Sequence, residues 1–208
     1  MNHYEINISK EAIAGMPVLT CPVAISLIDS AAEAHAAIRA LNKEKIVGFD
    51  TETRPSFRKG CTHPVALMQI STMDRCFLFR LNKIGICAQL KEFLENPAIL
   101  KIGLSVHDDF KVIGRSVAIN PGGFIDLQSY VRDFGIKDLS LQKIYAIVFG
   151  ERMSKAQRLT NWEADTLSEA QQAYAAIDAW ACLKLYLHLR DGCFDATASP
   201  YRHLVDAS

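Results

Sequence analysis

Lys45–Glu52 reads KIVGFDTE, an apolar run that ends in two acids. The run from Ile46 to Phe49 predicts a strand buried in a sheet. Side chains two apart on a strand share a face. Asp50 and Glu52 therefore project together from the rim of that sheet. Hard cations such as Mg²⁺ take oxygen ligands, and strand ends at a sheet rim are common ligand sites. A solvated strand end before a turn would carry the same pair, so the motif needs company.

Outward from this strand the pattern is regular. Pro64–Ser71 (PVALMQIS) and Arg75–Leu81 (RCFLFRL) read as two further strands, joined by loops short enough for antiparallel neighbours. Upstream, Ile25–Ile28 is a short strand, and Ser30 with Glu33 makes a capping box that opens a helix to about Leu41. Downstream come a helix over Ala88–Asn96 stopped by Pro97, a buried strand over Ile99–Ser105 and a helix from about His107 to Gly114. Gly123–Asp126 is a short strand running into a helix, and Leu139–Phe149 is another helix. A last long helix starts at Ser168, with Gln171 as its box partner, and stops at Gly192. Strands first, then strands alternating with helices, predict a three-layer α/β domain on a mixed sheet. Residues 1–22 read as a loosely attached lead-in, and 23–208 as one domain.

The 208 residues are half hydrophobic and carry 23 basic and 23 acidic side chains. That is ordinary globular composition. No stretch approaches the roughly 20 apolar residues of a membrane span, and the first residues lack the apolar core of a signal peptide. The six cysteines form no Cys-x-x-Cys pair, which argues against a zinc site of the usual spacing. They read as reduced thiols of a cytoplasmic protein with no membrane partner. Nucleic-acid binders are usually basic, whereas this chain has zero formal charge. Bound metal ions would supply positive charge locally.

Two more segments carry acids in telling places. Ala170, Tyr174, Ile177, Asp178, Ala181 and Leu185 follow the core-facing stripe of the last helix. An Asp on such a stripe is costly unless paired or metal-bound. Asp108 and Asp109 follow the strand at 99–105 and suit the positive end of the next helix. Asp109 shares its face with Val112 and Ile113, so it is the inward candidate, while Asp108 faces Lys111. Four clustered carboxylates repel one another unless cations neutralise them. Two divalent ions ~4 Å apart are a usual arrangement for in-line phosphoryl displacement.

VGFDTET (47–53), KIGLSVHDDF (101–110) and YAAIDAW (174–180) resemble, in order and spacing, the three exonuclease motifs of the DEDD family, and the tyrosine four before the last aspartate matches its DEDDy branch. LTNWEADTLSEAQQAYAAIDAW (159–180) and HPVALMQIS (63–71) are similar to segments of ribonuclease D and of Werner-type exonuclease domains. The resemblance implies a ribonuclease-H-like fold with a five-stranded mixed sheet whose second strand is antiparallel. It implies a 3′-5′ exonuclease that hydrolyses DNA or RNA from 3′ ends, releases nucleoside 5′-monophosphates and uses two divalent cations, Mg²⁺ or Mn²⁺. Asp50 would bridge both ions, Glu52 and Asp178 would complete one site, Asp109 would hold the second, and Tyr174 would orient the attacking water. The alternative is a catalytically silent relative that binds nucleic acid or a protein partner.

Ribonuclease D grips nucleic acid with further helical domains, so here the residues between the motifs are expected to do so. Arg54, Phe57, Arg58 and Lys59 follow the first motif on a loop, where the cations would meet phosphates and the ring would stack on a base. Arg152, Lys155 and Arg158 form a second basic run that reads equally as a solvated linker. His63, Trp162 and Trp180 read as structural.

Overall fold

The strand at Ile46–Thr53 (β3) is the centre of the molecule, and each face of it meets a different layer. Residues 3–58 and 62–205 are described here, in a computed structural model. The preceding elements are β1 (His3–Ile6), α1 (Lys10–Ala14), β2 (Ala24–Ile28) and α2 (Ala31–Leu41). After β3 come β4 (Val65–Ser71), β5 (Arg75–Phe79), α3 (Leu81–Ile84), α4 (Ala88–Glu95), β6 (Leu100–Gly103) and α5 (Val106–Ile113). Then follow β7 (Phe124–Asp126), α6 (Leu127–Tyr130), a 3₁₀ turn over Val131–Phe134, α7 (Leu141–Phe149), α8 (Glu169–Arg190) and β8 (Arg202–Val205).

The main sheet has the order β2-β5-β4-β3-β6-β7. β4 is antiparallel to both neighbours, while β2–β5, β3–β6 and β6–β7 pair in parallel. This is the mixed α/β sheet expected from the sequence, with one correction. The family resemblance implies five strands, and six are present, because β2 adds alongside β5 over Ala24–Ile28. Counted from β3, the second strand is the antiparallel one, as expected.

Alternation along the strands builds the layers. Val47 and Phe49 of β3 and Met68 and Ile70 of β4 join one core with Ala34, Ala37, Ile38 and Leu41 of α2, Leu90, Phe93 and Leu94 of α4, and Val106 and Ile113 of α5. Leu67 and Leu78 face the other side, against Ala175, Ala176 and Ala179 of α8. A third cluster joins α7 to the far half of α8 through Ile144, Tyr145, Ala181 and Leu185. α2 and α8 each open with the expected capping box, Ser30 with Glu33 and Ser168 with Gln171. Each box satisfies backbone N–H groups that the first helical turn leaves without partners.

The lead-in is where the sequence reading departs most from the structure. It is not loosely attached. β1 pairs antiparallel with β8, with Tyr4 opposite Leu204, and Ile6, Ile8, Ile13 and Leu19 are buried in the cluster that holds Leu185. The Ile8 N–H donates to Asp138 Oδ2 at 2.8 Å, and Leu19 N–H to the Arg152 carbonyl at 2.9 Å. Among the described residues no helix is long and apolar enough to cross a membrane.

Candidate active site

A glycine sets the position of the long helix. A Cβ at Gly48 would lie 1.9 Å from the Ala179 carbonyl oxygen, so only glycine lets α8 lie this close on β3. The contact places Asp178, the residue before Ala179, beside the strand that carries Asp50 and Glu52. One carboxylate oxygen from each of the three acids lies within 4.8 Å of the other two. They line a recess of about 310 Å³ together with Tyr174, Cys182, Lys155 and Arg158.

Asp109 arrives from the opposite side of β3. Its helix α5 starts from Ser105, which holds the left-handed backbone conformation (φ 57°) that is unfavourable for a residue with a Cβ. Asp126 secures that turn by accepting from the Ser105 N–H at 3.0 Å and from the Gln128 N–H at 2.9 Å. The Asp109 carboxylate accepts from the Thr51 hydroxyl and stays outside the close triad. Asp108 points to solvent and pairs with Lys111 at 2.9 Å. The face argument made from the sequence therefore matches the side-chain directions of both aspartates.

The acids are held in an environment that resists their charge. Asp50 is pushed well above the usual carboxylate range by burial and then by repulsion from Asp178, Asp109 and Glu52. Glu52 rises to about 8 through burial and the charges of Asp178 and Asp109, with Arg158 pulling it back. Asp178 rises to about 7 on burial, opposed by a hydrogen bond from Tyr174 and by the charge of Lys155. Asp109 rises to about 7 on burial, opposed by the Thr51 hydroxyl. Burial and the neighbouring acids drive the Tyr174 phenol upward, so it stays protonated and donates to Asp178. Uncompensated carboxylates at a sheet rim, offering oxygen donors only, suit hard divalent cations.

Of the residues expected to grip nucleic acid, Arg54, Phe57 and Arg58 line one recess with His63, separate from the recess that holds the acids. Phe57 is 84% exposed, and Arg58 is exposed beside it. Arg54 is turned to Glu163, at 3.3 Å. Lys59 lies outside the described residues. His63 approaches the same Glu163, and Trp162 and Trp180 are buried, as structural residues. Sequence reasoning missed Thr51 and Gln69. Gln69 stands opposite Asp50 on β4, fully buried, and its amide has no hydrogen-bond partner among the described residues. A polar residue inside the otherwise apolar VALMQI was the one visible signal.

A ribonuclease-H-like sheet with an acid cluster on its rim defines a nuclease domain. The chain belongs to the 3′-5′ exonuclease family, whose family model matches residues 25–192. It is similar to the mouse bifunctional 3′-5′ exonuclease/ATP-dependent helicase WRN, 30% identical over 155 residues that make up 72% of this chain and 11% of that protein. Ribonuclease D of Gluconacetobacter diazotrophicus is 28% identical over 189 residues, 86% of this chain and 47% of the relative. Among solved structures, Trypanosoma brucei ribonuclease D in complex with RNA U12 superposes with a TM-score of 0.71 at 17% identity, covering 81% of this chain and 63% of that one. The chain thus spans only a part, 11% and 47%, of these two curated relatives.

Proposed function

We propose that the chain hydrolyses the terminal phosphodiester at 3′ ends of DNA or RNA, with Asp50, Glu52, Asp109 and Asp178 holding two divalent cations, Mg²⁺ or Mn²⁺. The observation that carries this reading is the half-buried triad of Asp50, Glu52 and Asp178, with one carboxylate oxygen of each within 4.8 Å of the others. Divalent cations there would lower the pKa of the attacking water and screen the charge of the phosphodiester. The chain's own residues do the rest. Tyr174, one turn before Asp178, hydrogen-bonds that carboxylate and thereby fixes its orientation, with its hydroxyl left as a positioning group for the water. The water oxygen bonds to phosphorus, the bond to the 3′ oxygen breaks, and the leaving oxygen takes up a proton. The products are a nucleoside 5′-monophosphate and a chain one nucleotide shorter. The exposed Phe57 and Arg58 offer a stacking face and a phosphate contact to single-stranded substrate.

Incubation with 5′-labelled DNA and RNA oligomers tests the reading. A descending ladder that ends in 3′-hydroxyls and appears only with Mg²⁺ or Mn²⁺ is the expected result. Products with 3′-phosphates, or full turnover in EDTA, would contradict it. No turnover on either polymer, from protein that binds Mn²⁺, would favour the silent relative.

A further inference from the structure

The basic run that reads from the sequence as a linker faces the acid cluster across the recess. The stretch around 151–167 is anchored along its length. The Arg152 Nε donates to the Met16 carbonyl at 3.1 Å, and the Gln142 amide to the Met153 carbonyl at 2.7 Å. The buried Gln171 amide donates to the Thr160 hydroxyl at 3.0 Å. Arg80, fully buried, donates to the carbonyls of Ala164 and Asp165, and Trp162 is buried below them. A turn between these anchors, with the Arg158 N–H on the Lys155 carbonyl at 3.3 Å, brings the two cationic residues side by side. Both are exposed and both line the recess that holds Asp50, Glu52, Tyr174 and Asp178. Among the described residues neither makes an ion pair or a side-chain hydrogen bond.

We propose that Lys155 and Arg158 form the anion-binding wall of this recess and hold the phosphate of the terminal nucleotide, as a phosphodiester before hydrolysis and as a 5′-monophosphate after it. The inference rests on the nuclease reading above. Both residues line the same recess as Glu52 and Asp178. Four carboxylates and two divalent cations cancel. The two side chains are then the surplus positive charge that a phosphate meets. Arg158 presents a planar fork suited to two phosphate oxygens, whereas Lys155 acts as a point charge. Two long, exposed cationic side chains on an anchored turn, with no ion pair among the described residues, are kept available for a ligand.

Calorimetric titration of adenosine 5′-monophosphate, and separately of adenosine, into the Mn²⁺-loaded protein tests this without relying on turnover. Arg158→Ala and Lys155→Ala should each weaken monophosphate binding about tenfold, which corresponds to ~1.4 kcal/mol, and leave adenosine unchanged. Arg158→Lys should recover part of the loss. The same alanine variants should bind Mn²⁺ somewhat more tightly, because a like charge has left the site. That opposite sign separates a lost phosphate contact from a distorted fold, which would weaken both. Lys91→Ala, on α4, serves as a surface control. Unchanged monophosphate affinity in the folded variants would overturn the proposal, as would a wild-type protein that binds adenosine as well as its monophosphate. Monophosphate binding that depends on Arg158 in a protein that cleaves nothing would sink the nuclease reading alone.

Discussion

α8 and α5 each bring an acid to β3, but they hold it in different ways. α8 runs for 22 residues, lies against β3 through Gly48, and delivers Asp178 directly into the triad. α5 has eight residues, begins from a left-handed Ser105, and turns Asp109 to the Thr51 hydroxyl on the other side of the strand. Packing completes one half of the site. In the other half a polar contact with Thr51 holds the carboxylate. The difference teaches that a motif can assign a residue to the site while its neighbours decide how finished that residue's position is.

The largest effects should come from the α8 side. Asp178→Asn keeps the volume and removes a charge from the triad, and steady-state hydrolysis should fall by about 10³-fold or more, the scale of losing a group that meets transition-state charge. Gly48→Ala should break the same half by overpacking. Its methyl has no room against the Ala179 carbonyl, so unfolding experiments should read a loss of roughly 1–3 kcal/mol, with turnover falling alongside. Wild-type turnover in either variant would make the two helices equivalent after all.

On the α5 side, Asp109→Ala should cost a smaller factor of about 10²–10³, and Asp108→Ala less than about twofold, because Asp108 pairs only with Lys111 in solvent. The reverse ranking would reassign the inward acid. Tyr174→Phe should lower kcat by roughly 10²-fold, the low end for a positioning group, and leave Mn²⁺ affinity nearly unchanged. Thr51→Val should have the smallest effect on the maximal rate. It removes the hydroxyl that opposes the upward shift of Asp109, so the acidic limb of the pH–rate profile should move to higher pH.

The parts of this picture legible in the sequence are those written in local spacing. Both capping boxes, the inward face of Asp109 and the alternation of β3 depend on residues a few positions apart. The pairing of β1 with β8 depends on residues nearly the whole chain apart, and no periodicity announces it. The same holds for the turn that carries Lys155 and Arg158 back to the acids, and for the pairing of Arg54 with Glu163. Gln69 was hidden for another reason. Strand pairing alone sets it opposite Asp50.

The charge state of the cluster joins both halves and gives a test that needs no substrate. All four carboxyls bind protons more tightly folded than unfolded, so the metal-free folded chain carries more protons between the usual carboxylate range and about pH 8. Its stability must fall as pH rises through that window. Melting temperature in EDTA should decline accordingly, and Mn²⁺ should restore it most at the alkaline end, where the ligands are deprotonated. A melting temperature in EDTA that rises with pH would reverse the sign.

Calorimetric titration of Mn²⁺ at pH 7.5 into the wild-type protein and Asp50→Asn asks the central question directly. The cluster should bind two ions with release of protons, and Asp50→Asn, folded and at least as stable without metal, should lose most of that binding. Equal binding by the two proteins, or none by the wild type at millimolar Mn²⁺, would mean that the four acids are not a metal centre.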